Sequence, residues 1–346
     1  MTITWTEAFS SFTTSGTGWN DYDIYTAKSV PKGAIALIAM TNTAQAGANT
    51  VGVRTDGSSL DRYIKLHEAE AGGAVVATMF VKVDSSTGYI ETYSSSSGLT
   101  FYLLGYFTGI DFTEAFAQMT TSTDRTWTDY DIYTEKSVPK GSVVQCACIN
   151  CFDAAYALLG VRTDGSSLVR YQSVHEAESS SVEYTDADAY SICVKSDHST
   201  GKIEIYEDLD YGYIYHLGYF GADMDYVELN QELTPTLAGS WEEQDLTPYL
   251  DQDGRVCEVY CGNRLTNAEK DVGCRIKGSS LSRYILVHEG EDGYNTGATF
   301  VCGTDASGIL ETYVNSATNP RFYLKGYFKF SAPPAGFAHS FGVIIA

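Results

Sequence analysis

The sequence predicts an all-β protein made of three tandem antiparallel β-sandwich modules, jelly-roll-like in pattern, with a C-terminal extension strand. Three observations predict it. The first is internal repetition: VGVRTDGSSLDRYIKLHEAE at 51–70 returns as LGVRTDGSSLVRYQSVHEAE at 159–178 and, more loosely, as VGCRIKGSSLSRYILVHEGE at 272–291, at spacings of 108 and 113 residues. The second is a succession of short apolar runs rich in Val, Ile, Tyr and Phe, separated by clusters of Gly, Asp, Ser and Thr, the pattern of strands and turns. The third is that no stretch offers a capped amphipathic helix of about three turns, so long helices are not expected.

Other landmarks keep step with the repeat. Trp19 and Asp23 correspond to Trp127 and Asp131 and to Trp241 and Asp245, IETY at 90–93 to IEIY and LETY, and LGYF at 104–107 to LGYF and KGYF. The chain of 346 residues therefore divides into modules at 1–112, 113–225 and 226–330 and a tail at 331–346. In the first module the strands are expected near Tyr22–Thr26, Ala34–Asn42, Thr50–Thr55, Arg62–Glu68, Val75–Val83, Tyr89–Ser94 and Phe101–Thr108. The DG of TDGSS suits a tight hairpin, because Gly accepts the positive φ such turns demand. The STG before the IE strand plays the same part. Seven or so short strands in about 110 residues point to a sandwich or jelly roll.

Charge excludes one class of function. With 44 acidic and 22 basic residues the net charge is −22, which is unsuited to a nucleic-acid binder that must neutralise phosphates with clustered Lys and Arg. The modules carry −4, −12 and −6 in order, so the acid is concentrated in the middle copy, chiefly in VEYTDADAY and EIYEDLDYG, and does not define the module. The N-terminus has neither a basic start nor an apolar run, and no window of about 18 apolar residues exists. A soluble protein made without an export signal and without membrane insertion is expected.

The sharpest recurring constellation is Arg54, Arg62, His67, Glu68 and Glu91, matched by Arg162, Arg170, His175, Glu176 and Glu204 and by Arg275, Arg283, His288, Glu289 and Glu311. One His and two carboxylates per module suit a divalent metal or an acid–base pair. Strand alternation argues otherwise: Arg62, Ile64, Leu66 and Glu68 would share one face and His67 the other. The expected arrangement is a structural Arg–Glu ion pair across strands, with a hydrogen-bonded His on the opposite face, and no catalytic, cofactor or metal residue.

The eight cysteines fall in apolar strands. Cys148 and Cys261 stand where Met40 does, Cys274 at Val53 and Cys193 at Phe80, so they are expected as small buried hydrophobes in a reducing compartment. Glu207, Asp208, Asp210, Asp186 and Asp188 offer Ca²⁺ ligands on paper, but they match no calcium-loop pattern and are expected to form a solvated face. Trp19, Trp127 and Trp241 could stack sugars, against the plainer expectation that the aromatics alternate into core and surface. FGVIIA at the end of the tail is β-prone, and either completes its own third module or adds to a neighbouring subunit.

The Gly-Tyr-Phe strand ends, the GVRTDGSSLDRY hairpin and the tandem array resemble the β-sandwich domains of head decorations, fibres and tail appendages in tailed bacteriophages and related viruses. This resemblance carries over no functional residue. It implies a non-enzymatic virion component, assembled in the host cytoplasm, whose partners are copies of itself or other structural subunits. The competing expectation is a multivalent carbohydrate-binding protein, cytoplasmic or exported by a non-classical route, that meets cell-surface glycans through one weak site per module.

Overall fold

The computed structural model describes residues 2–44, 47–69, 73–97, 99–119, 125–151, 156–176, 187–208, 212–251, 254–290 and 295–330. The predicted tail strand, with Asp186 and Asp210, lies outside the described residues.

The first module contains β1 (Thr4–Thr13), β2 (Gly18–Tyr22), a short helix α1 (Ile24–Lys28), β3 (Ile35–Asn42), β4 (Asn49–Thr55), β5 (Tyr63–Leu66), β6 (Val75–Lys82), β7 (Ile90–Ser94) and β8 (Thr100–Thr108). Its inner sheet runs β1-β8-β3-β6 and its outer sheet β2-β7-β4-β5, antiparallel throughout. The second module repeats this order with β9 (Phe112–Met119), β10 (Trp127–Tyr130), α2 (Ile132–Lys136), β11 (Val143–Asn150), β12 (Ala157–Thr163), β13 (Tyr171–Val174), β14 (Asp188–Lys195), β15 (Ile203–Glu207) and β16 (Gly212–Phe220). The third does so with β17 (Met224–Glu232), β18 (Ser240–Asp245), β19 (Gly254–Asn263), β20 (Lys270–Ile276), β21 (Tyr284–Val287), β22 (Thr296–Gly303), β23 (Ile309–Val314) and β24 (Pro320–Phe330). Eight strands in two four-stranded sheets with this order are a jelly roll. Strands β9 and β17 straddle the boundaries drawn from the repeat.

Local chemistry explains where the elements depart from expectation. The strand expected at Tyr22–Thr26 ends at Tyr22, because Asp23 caps a helix by accepting from Thr26 N at 2.8 Å. Asp131 repeats the cap with Thr134 N at 2.9 Å, and this satisfied donor outweighs the β-like pattern of the segment. Strand β1 was not expected, since a register shift between Glu7 and Ser10 breaks its alternation. The TDGSS turn does place Gly57 at φ 76°, but residues 56–62 separate β4 from β5, so the connection is longer than a tight hairpin. Gly88, at φ 84°, joins β6 to β7 in the other sheet instead of closing a hairpin.

All eight residues of β3, and likewise of β11, are buried. Their sheets are covered on both faces, by the outer sheet of the same module and by a neighbouring module, which is why IALIAMTN and VVQCACIN read as unbroken runs. The three inner sheets meet around a pseudo-threefold axis. Equivalent residues Phe107, Phe220 and Phe328 lie 5.7, 5.3 and 5.9 Å apart by ring centre, and Phe80 packs against all three. Each such buried ring contributes about 1.5–3 kcal/mol of burial.

Candidate functional site

Strands β6, β14 and β22 end the inner sheets, so their outer backbone groups need partners from elsewhere. The next module supplies them. Glu114 of β9 accepts from Thr55 N at 3.0 Å and from Lys82 N at 3.1 Å, tying both sheets of the first module together. Glu228 does the same for Thr163 N and Lys195 N, each at 3.1 Å. Glu7 closes the ring by accepting from Ile276 N at 3.1 Å and Gly303 N at 2.9 Å. Gln145 and Glu258 add a second acceptor at two of the seams, for Phe80 N and Cys193 N, both at 2.9 Å.

The arginines complete each seam from the other side. Arg62, Arg170 and Arg283 are 0 % exposed. Arg62 donates to Val53 O and Phe80 O in its own module and to Ala115 O and Leu217 O in the second, at 2.8–3.1 Å. Arg170 reaches Lys325 O and Leu229 O of the third module, and Arg283 reaches Leu104 O and Ala8 O of the first. Each guanidinium lies 3.5 Å from the glutamate of the facing module.

The predicted cross-strand ion pair is therefore Arg54–Glu91, Arg162–Glu204 and Arg275–Glu311, each at 2.6 Å. Arg62 does not join Glu68. Strand β5 ends at Leu66, so alternation carries no further. Glu68 instead accepts from Gly47 N. His67, His175 and His288 leave their strands and meet at the axis, 0 %, 2 % and 1 % exposed, with ring centres 5.4–5.7 Å apart. His175 and His288 place Nδ1 at 2.9 and 2.8 Å from the carbonyls of Glu176 and Glu289. The expected hydrogen bond is not made by His67, whose ring nitrogens have no partner among the described residues. Burial and the two neighbouring imidazoles hold its pKa well below the ordinary range.

Sequence reasoning missed the seam glutamates, although TEAF at 6–9 returns at 113–116. It also missed Asn42, Asn150 and Asn263, whose amides donate to the carbonyls of His67, His175 and His288 at 2.6, 2.8 and 2.9 Å.

The outer sheets face away from the axis. Across the first, Trp19 pairs with Tyr93, Tyr93 with Gly52 and Gly52 with Tyr63. The same row recurs as Trp127, Tyr206, Gly160, Tyr171 and as Trp241, Tyr313, Gly273, Tyr284. Guanidinium carbons of Arg54, Arg162 and Arg275 sit 3.9, 4.1 and 4.0 Å over the Trp rings, and the two tyrosines of each row stack on each other. One face of each Trp is thus occupied. Beside the first row, carboxylate oxygens of Asp21, Asp56 and Glu91 lie within 4.8 Å of one another. Lys202 pairs with Asp129 in the second copy and Lys277 with Glu243 in the third.

All eight cysteines are buried as thiols outside any disulfide. Of the acidic residues expected to be solvated, Glu207 and Asp188 are buried. Strand β14 carries Asp188 inward, and burial pushes its carboxyl up to about 7. Among the described residues no helix is long and apolar enough to cross a membrane.

The fold is that of an all-β protein of repeated jelly-roll modules. No family model matches the chain, and no curated protein matches it. Among solved structures it is similar to the N-terminal CBM22-1–CBM22-2 tandem domain of Xyn10C from Paenibacillus barcinonensis, at 12 % identity and a TM-score of 0.16, over 64 % of this chain and 91 % of that one. It is also similar to a protein described under the triple jelly roll fold and turret assembly of an archaeal virus, at 8 % identity and a TM-score of 0.19, over 95 % of this chain and 91 % of that one.

Proposed function

We propose that the protein is a non-enzymatic structural block of a virus particle, a single-chain pseudo-trimer that displays three outward faces and assembles with copies of itself or with other structural subunits. Jelly rolls serve in capsid and lectin domains alike, and a fold alone does not fix a function. The observation that carries the proposal is the closed ring of seams. The recurring Arg and Glu residues, the natural candidates for chemistry, are spent on sealing sheet edges and pairing across strands. Eight buried thiols outside any disulfide support assembly in a reducing host cytoplasm.

A second function, glycan binding, is favoured by the three Trp–Tyr–Tyr rows on the outer sheets. One experiment separates the two. The purified full chain is imaged by electron microscopy across a concentration series and applied to a glycan array. Ordered higher assemblies without a glycan signal are expected. Single particles at every concentration, with a glycan signal lost in Trp19→Ala/Trp127→Ala/Trp241→Ala, would overturn the structural proposal.

A further inference from the structure

We propose that the pseudo-threefold axis binds one transition-metal ion of the zinc class through Nε2 of His67, His175 and His288. Three features of the structure support it.

The first is spacing. With metal–nitrogen bonds of about 2.1 Å, three imidazoles radiating from one ion have ring centres roughly 5.3–5.6 Å apart. The observed separations are 5.6, 5.4 and 5.7 Å.

The second is the tautomer. A carbonyl oxygen can only accept, so Nδ1 of His175 and of His288 carries the proton toward Glu176 O and Glu289 O. That leaves the lone pair on Nε2, the arrangement by which metal-bound histidines are held and made more basic. Nε2 of His67 and of His288 is buried without a hydrogen-bond partner among the described residues. A buried lone pair with no donor to accept from is costly, and a cation at the axis would satisfy it.

The third is support. The backbone is held through the carbonyl at all three histidines and through the amide N–H as well at two of them. Asn42, Asn150 and Asn263 hold the three carbonyls, while His67 N donates to Ala187 O of the second module and His288 N to Ala74 O of the first, both at 3.0 Å. As they stand, the rings do not bring one nitrogen apiece within 4.8 Å of one another, a spacing met among the described residues only by Asp21, Asp56 and Glu91. Coordination therefore requires a ring to turn. His67 is the ring to do so: it stacks on His175 at an interplanar angle of 13°, its nitrogens make no hydrogen bond of good geometry among the described residues, and turning it about Cβ–Cγ leaves its centre in place. Three protein nitrogens leave a fourth tetrahedral position for water.

The test uses the full chain, treated with EDTA and titrated with Co²⁺ and Zn²⁺. The expected result is one ion per chain by calorimetry, intense visible Co²⁺ bands of a tetrahedral nitrogen site, and a raised melting temperature. His67→Gln and His288→Gln should each weaken Co²⁺ binding by roughly tenfold or more, whereas Asp56→Asn should leave it unchanged. Absence of the intense bands from the wild-type spectrum overturns the proposal whether or not the variants fold. So does binding that survives His67→Gln and disappears in Asp56→Asn, which would place the ion at the carboxylates.

Discussion

The cyclic seam makes its strongest prediction at Glu7, the residue that joins the start of the chain to its third module. Its carboxylate accepts from Ile276 N and Gly303 N and faces Arg283 at 3.5 Å. Burial pushes the Glu7 carboxyl pKa up, while Arg283 and the two backbone donors pull it down. Glu7→Ala removes all three interactions at once. Two backbone donors then lack an acceptor, at about 1–3 kcal/mol each, and Arg283 loses the nearest counter-charge in an interior that excludes water. Breaking a buried pair from one side costs about 3–5 kcal/mol. These contributions overlap, because one carboxylate makes them all, so a loss of about 4 kcal/mol is expected. Glu7→Gln keeps an acceptor and should lose about 1–2 kcal/mol. Equilibrium unfolding in urea measures both, with Glu114→Ala and Glu228→Ala as the equivalent changes at the other seams. A loss below about 1 kcal/mol for Glu7→Ala, or equal losses for Glu7→Ala and Glu7→Gln, would refute the account of the seam.

Two further predictions concern single positions. Burial beside Arg62 lowers the pKa of His216 to about 4, while the equivalent positions hold Leu103 and Leu324. The folded state therefore favours the neutral ring, and stability falls as pH drops from about 6.5 toward 4, by up to about 3 kcal/mol. His216→Leu should flatten that slope in melts taken at pH 4.5 and 7.5, and an unchanged slope would show that His216 is not the titrating group. Gly52 lies where β4 passes close to β5, and a Cβ there would overlap the Arg62 carbonyl. Gly52→Ala should cost about 3 kcal/mol by forcing the strands apart. Gly57→Ala, which meets nothing within 4 Å but sits at φ 76°, should cost only about 1 kcal/mol, so equal losses in urea unfolding would contradict the packing argument.

The sequence disclosed the module through repetition, and the alternation of Tyr63 outward against Ile64 and Leu66 inward was legible because β5 has one wet face. The Arg54–Glu91 pair was legible in kind, since both residues stand on adjacent strands at fixed places in the repeat. Closure was not. Glu7 and Ile276 are 269 residues apart, and a contact of that range leaves no periodicity in either strand. The axial histidines were hidden for another reason. Period-two extrapolation assumes the strand continues, and β5 stops one residue before His67, where Asn42 draws the chain inward by its carbonyls.

The axis also explains why three unequal copies are joined in one chain. A ring of identical subunits must place the same side chain three times on its axis. Here the equivalent positions carry Phe80, Cys193 and Val301, all buried, and the single phenylalanine fills the space among Phe107, Phe220 and Phe328. Three phenylalanines would overpack that space and three cysteines would leave a cavity, each at a cost of kcal/mol order. The seams differ in the same way. Trp5, Leu37 and Leu104 face the third module, Phe112, Gln145 and Leu217 face the first, and Tyr226, Glu258 and Lys325 face the second. In the last set Tyr226 donates to Glu258 at 2.5 Å while Arg170 donates to the Tyr226 hydroxyl at 3.2 Å. Covalent fusion lets each seam and the axis take a composition that threefold symmetry forbids, and the divergence of the buried positions among otherwise similar modules follows from that freedom.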